Sequence, residues 1–163
     1  RDAVDMAAQA IMTTDTFPKG AAATVQGDGG VIHIAGIAKG SGMIAPDMAT
    51  MLGYIFTDAA VAPALLQDML SEATGGTFNA ITVDSDTSTS DTVMVFATAK
   101  AGNARIESWD SPGADAFASA LADVCRQLAQ LVVRDGEGAA KFITVRVSGA
   151  ASARRACTTG STA

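Results

Sequence analysis

A chain of 163 residues is long enough for one ordinary domain with a sizeable core. Its net charge of −6, with no basic cluster beyond Arg154-Arg155, argues against a surface for nucleic acid or anionic membrane. Hydrophobic residues are 48% and charged residues only 17%, which suits a piece buried against other subunits or other parts of a longer chain.

Val4, Ala7, Ala8 and Ile11 recur at helical spacing, predicting a short amphipathic helix from Asp2 to Met12. The segment Thr13-Thr14-Asp15-Thr16-Phe17-Pro18-Lys19 stops it and forms a polar loop, since hydroxyls and Asp routinely cap and close turns. Ala21 to Gln26 and Val31 to Ala38 are β-prone runs joined by Gly27-Asp28-Gly29-Gly30, a hairpin signal. His33 is the only histidine and alternates with Ile32 and Ile34, so it reads as a surface or packing residue. A His-based metal site or a Ser-His-Asp triad is thereby disfavoured.

The run Lys39-Gly40-Ser41-Gly42-Met43-Ile44-Ala45-Pro46-Asp47-Met48-Ala49-Thr50 breaks into the apolar stretch Met51 to Phe56. That pattern is a loop delivering a hydroxyl to the first position of a buried strand, predicted from Thr50 to about Thr57. Taken by itself, Thr50 reads as an ordinary β-branched strand residue. Asp58 to Ala62 connects to a helix that Pro63 opens, with Leu65, Leu66, Met69 and Leu70 as its apolar face and Gly75-Gly76 as its end.

Ala80 to Asp84 and Asp91 to Thr98 read as strands bracketing the hydroxyl-rich connection Ser85 to Ser90. Alternate Asp residues there lack the glutamate of a calcium loop, so a self-bonded loop is the plain reading and no metal is expected. Ala99 to Ser111 is a linker carrying Trp109. From Pro112 to about Val133 the residues Phe117, Leu121, Val124, Leu128 and Leu131 step by three or four, marking the longest helix. Cys125 falls in it as a small buried hydrophobe, and with Cys157 makes no metal spacing. Arg134 to Lys141 is a glycine-rich turn holding Glu137, followed by a predicted strand from Phe142 to Val147. No leader-like start and no apolar run long enough to cross a bilayer stand out, so the expectation is a soluble, cytoplasmic protein.

The run from Lys39 to Leu52 resembles the self-cleavage site of the ornithine acetyltransferase (glutamate N-acetyltransferase) family, Lys-Gly-x-Gly-Met-Ile-x-Pro-x-Met-Ala-Thr-Met-Leu, at every fixed position. The Thr13-Thr14-Asp15-Thr16 segment, the run Asp84 to Asp91 and the turn Asp135 to Lys141 are similar to further family segments. The resemblance implies an α/β fold, a layered mixed β-sheet flanked by helices, assembled from both cleavage products. It implies cleavage at Ala49-Thr50, Thr50 as the catalytic nucleophile, and Thr13, Lys39, Thr50 and Glu137 as substrate-binding residues. It covers residues 1–148 as the central part of the family's domain and leaves 149–163 as a truncated or aberrant tail. The family's upstream Thr-Gly oxyanion pair and its downstream site segment find no match, so this chain alone is expected to have negligible activity.

The chemistry is consistent with that assignment. A threonine hydroxyl is a poor nucleophile without a base. Once Thr50 begins a chain, its own α-amine, with a reference pKa of about 7.7–8.0, is within reach to serve. The implied reaction is ping-pong transfer of acetyl from N2-acetylornithine to glutamate through acetyl-Thr50. No cofactor is expected, with acetyl-CoA as a possible co-substrate. The implied partners are those substrates and the two cleavage products themselves, as a heterotetramer of two alpha and two beta chains, with no nucleic acid and no membrane. Two other readings compete: a self-processing N-terminal-nucleophile hydrolase of the aminopeptidase type, and an inactive fragment.

Overall fold

The run of small and β-branched residues from Ala21 to Val25 needs a partner strand to satisfy its backbone, and the chain supplies it by folding straight back. In a computed structural model, which describes residues 2–41, 51–83, 90–146 and 148, β1 (Lys19–Gly27) pairs antiparallel with β2 (Gly30–Lys39). The register runs from Lys19 opposite Ala38 to Gly27 opposite Gly30. β2 pairs antiparallel with β3 (Leu52–Thr57), and β3 pairs parallel with β4 (Thr92–Ala97). The result is a mixed four-stranded sheet in the order β1-β2-β3-β4.

α3 (Ala114–Arg134) lies across β1 and β2, and α2 (Pro63–Gly75) packs on α3. Phe117, Leu121, Val124 and Leu128 are fully buried with Ile32, Ile34 and Ile55 of the sheet and Leu65, Leu66, Met69 and Leu70 of α2. Gly36 permits this approach, because a Cβ there would lie 2.8 Å from Leu128 Cδ1. α1 (Asp2–Ala10) packs against β2 and β1. Ala8 of α1, and Ile37 on the face opposite Gly36, are buried outside that main cluster. The architecture is thus the layered α/β arrangement expected: a mixed sheet with helices packed against it.

Beyond Ile37 and Lys39, much of the second sheet face is left uncovered by the described residues. Phe56 and Phe96 stack there with ring centroids 5.4 Å apart, and each is 43% exposed. His33 lies on this face too, its Nδ1 2.8 Å from Asp58 Oδ2, as a surface residue. Cys125 is buried, and burial pushes its thiol up to about 11, so it is an inert hydrophobe as expected.

Three expectations fail on physical grounds. The predicted strand from Ala80 to Asp84 is absent over its described part: Phe78–Ala80 forms a 3₁₀ turn, and Ile81 and Val83 pack on the core as side chains without joining the sheet. The predicted strand from Phe142 to Val147 is irregular from 141 to 146, with Phe142, Ile143 and Val145 exposed. A β-prone run becomes a strand only when an edge pairs with it, and none does so here among the described residues. Finally, α3 is by length and hydropathy apolar enough to cross a bilayer, contrary to the reading of the sequence. Its apolar stripe is spent on the sheet and α2, which makes it a core helix. The division into 1–148 and 149–163 lies partly outside the described residues.

The hairpin also sets a tight constraint. A Cβ at Gly30 would collide with the Ala101 carbonyl oxygen. That loop cannot retreat, since Ala101 N–H donates to Asp58 O at 2.8 Å and Ala104 N–H to Asp28 O at 2.6 Å. Gly30→Ala is expected to lower stability by about 1–3 kcal/mol, the usual cost of overpacking. Urea unfolding would check it; an unchanged midpoint would show that the loop gives way.

Candidate functional site

One end of the sheet gathers the chemistry. β1 starts there with Lys19, β2 ends there with Lys39, and β3 begins there with Leu52 opposite Lys39. The two lysines are on opposite faces of the sheet, because Lys19 pairs with Ala38 and side chains alternate. The loop from α1 and the C-terminal end of α3 close over the same edge.

Lys19 is fully buried and held by two carboxylates: its Nζ is 2.6 Å from Asp15 Oδ1 and 2.5 Å from Asp135 Oδ2. Asp15 Oδ1 also accepts Gly40 N–H at 2.7 Å, and Asp15 Oδ2 accepts Thr13 N–H at 3.2 Å. Asp135 accepts both the amide and the hydroxyl of Thr16. Burial alone would raise both acids. For Asp15 the Gly40 amide, the Lys19 ammonium and the Thr13 amide outweigh it and hold the carboxyl below its ordinary value. For Asp135 the Lys19 ammonium and the Thr16 donors do the same.

On this frame sit the residues picked out from the sequence. Lys39 is buried, and its Nζ donates to Thr13 Oγ1 at 3.0 Å, so two of the four substrate-binding candidates touch. Glu137 joins them through its backbone, its N–H donating to Ser41 O at 2.5 Å, while the residue itself is exposed. Ser41 Oγ and Thr14 Oγ1 are 2.8 Å apart, a second contact between this loop and the end of β2. Gly40 has φ +146°, a conformation L-residues rarely adopt.

Ala49 and Thr50 lie outside the described residues. Met51, the residue bonded to Thr50, is described: its N–H donates to Asp91 Oδ1 at 3.0 Å and its carbonyl accepts Thr92 N–H at 3.0 Å. The chain just downstream of the candidate nucleophile is thereby tied to the start of β4, and Leu52 stands opposite Lys39. The run Ser85 to Ser90 falls outside the described residues apart from Ser90.

Sequence reasoning missed the Asp15–Lys19–Asp135 cluster. The spacing of Asp15 and Lys19, four apart in a chain poor in charge, was a usable signal. Nothing local links them to Asp135, 116 residues beyond Lys19. No group of three or more His, Cys, Asp or Glu suited to a metal converges among the described residues.

The model of the ArgJ family matches residues 1–163. The arginine biosynthesis bifunctional protein ArgJ of Zymomonas mobilis subsp. mobilis is 61% identical over 145 residues, covering 89% of this chain and 36% of that protein. The same-named protein of Ruegeria pomeroyi is 63% identical over 150 residues, covering 92% of this chain and 35% of its own length. Among solved structures, the arginine biosynthesis bifunctional protein argJ of Bacillus halodurans is 41% identical with a TM-score of 0.51, over 58% of this chain and 43% of that one. This chain therefore spans little more than a third of the curated relatives it matches. A family match over the full length, together with relatives above 60% identity, means that the chain belongs to the ArgJ family.

Proposed function

We propose that this chain carries the nucleophile and part of the substrate site of a self-processing N-acetyltransferase of arginine biosynthesis. The observation that carries the reading is the contact of Lys39 with Thr13, together with the Glu137 N–H bonded to Ser41 two residues beyond Lys39, beside the strand that Met51 enters. The Thr50 hydroxyl attacks the Ala49 carbonyl and the resulting ester is hydrolysed, leaving Thr50 as a new N-terminus. Its free α-amine then takes the hydroxyl proton as Oγ attacks the acetyl carbonyl of N2-acetylornithine. The acetyl C–N bond breaks, ornithine leaves with the proton on its amine, and acetyl-Thr50 remains. The α-amine of glutamate attacks that ester and restores the hydroxyl.

In this reading Lys39 and Thr13 hold polar groups of the substrate and Glu137 faces its ammonium end. No cofactor or metal takes part, and acetyl-CoA is a second acetyl donor to be tested. Two of each cleavage product make the working assembly, in the cytoplasm. A hydrolase of the same nucleophile logic would pass the acetyl group to water.

The test uses the full-length protein. Its mass under denaturing conditions should show two chains divided at 49/50, and N2-acetylornithine with glutamate should yield ornithine and N-acetylglutamate. Release of free acetate with no acetylglutamate would favour the hydrolase, and a single uncut chain would sink the reading. Lys39→Met and Glu137→Ala should each lower kcat/KM by about 10- to 100-fold with folding intact, the pattern of lost substrate contacts. Unchanged kinetics of the folded fraction with a lower Tm would assign these residues to structure instead.

A further inference from the structure

Burying an ammonium with two carboxylates is costly, and such a cluster adds little net stability over apolar residues of equal volume. Its hydrogen bonds supply another reason for it. One carboxylate, Asp15, takes the backbone N–H of Thr13 on one oxygen and that of Gly40 on the other, at 3.2 Å and 2.7 Å. Those amides belong to Thr13 itself and to the neighbour of Lys39, the pair whose side chains meet at 3.0 Å. Lys19 holds Asp15 in place and, through Asp135, ties it to the end of α3 two residues before Glu137.

We propose that Asp15 is a positioning residue for the substrate site: its carboxylate, clamped by buried Lys19, sets Thr13 and Lys39 at the spacing their side chains need. This rests on the reading of Thr13 and Lys39 as substrate contacts. A carboxylate is required because both of its oxygens face donors: Lys19 and Gly40 on one side, Thr13 on the other. An asparagine offers one oxygen and one NH₂, so Asp15→Asn sets a donor against a donor on one side whichever way it turns. Turned to keep Lys19 and Gly40, it releases Thr13.

The experiment compares wild type, Asp15→Asn, Lys39→Met and the double variant of the full-length protein. For Asp15→Asn, the KM for N2-acetylornithine should rise about tenfold while kcat per folded molecule stays within about threefold. Added to Lys39→Met, it should cost no more than about a further twofold, because both act on one contact. A KM equal to wild type, or a fully multiplicative double variant, overturns the proposal. Amide hydrogen exchange gives an arm independent of substrate: Thr13, the amide released, should exchange about tenfold faster, with α2 and α3 unchanged. If wild type transfers no acetyl group the functional reading falls, and exchange still decides the positioning. Protection unchanged at Thr13, or lost evenly across the molecule, overturns it. If Asp15→Asn does not fold, Asp15→Glu replaces it with the same expectations, since it keeps the charge for Lys19 but shifts the oxygens by a methylene.

Discussion

Thr50→Ala in the full-length protein is expected to leave the chain uncut at 49/50 and to abolish acetyl transfer, with a loss on the order of 10⁶ in kcat, the scale set by deleting a catalytic nucleophile. One hydroxyl serves both steps, and the second step needs the terminal amine that the first creates. The setting fits, since the residue bonded to Thr50 is pinned at both its N–H and its carbonyl to Asp91 and Thr92. Thr50→Ser should retain part of both activities, because hydroxyl and future amine survive. Denaturing gels report the first step and ornithine release the second. Two chains from the alanine variant would remove Thr50 from the processing role, and acetyl transfer by it would remove Thr50 from the chemistry.

Lys19→Met should cost about 3–5 kcal/mol of stability, the usual penalty for removing one partner of a buried charged group. It strands two buried carboxylates that share the Lys19 ammonium. The pH dependence has a definite sign. Asp15 and Asp135 both sit below the ordinary aspartate value of 3.8 in the folded protein, so their contribution is fully present above that value. It is lost as pH falls through the lowered folded values. In wild type, urea midpoints should hold from neutral pH down to about pH 5 and fall below about pH 4. In Lys19→Met the deficit should shrink over the same acid range, because protonation relieves the stranded charges. A deficit under about 1 kcal/mol at pH 7 would mean that Lys19 behaves like a surface ion pair.

The sequence by itself determined whatever depends on near neighbours. Steps of three and four from Phe117 to Leu128 put one apolar stripe on α3, and the structure buries that stripe completely. The ladder drifts at its end, where Val132 is buried and Leu131 only half so, because 3.6 residues per turn do not repeat evenly. The hairpin was legible from its glycine turn and runs longer than expected, since pairing continues to Lys19 and Lys39 once begun. Thr13, Lys39 and Glu137 were legible as candidates only through the resemblance of their segments to a family.

Tertiary structure alone decided the rest. The β-prone runs near residues 80 and 142 were misread because a strand is a relation between two segments, and sequence shows only one of them. The meeting of Lys39 with Thr13, 26 residues apart, needed the sheet to return the chain to the loop after α1. Asp135 is 116 residues from Lys19, and no periodicity reaches that far. A buried charge is written in the sequence as an ordinary polar residue. Only the fold, by withdrawing water from Lys19, makes its two carboxylates obligatory.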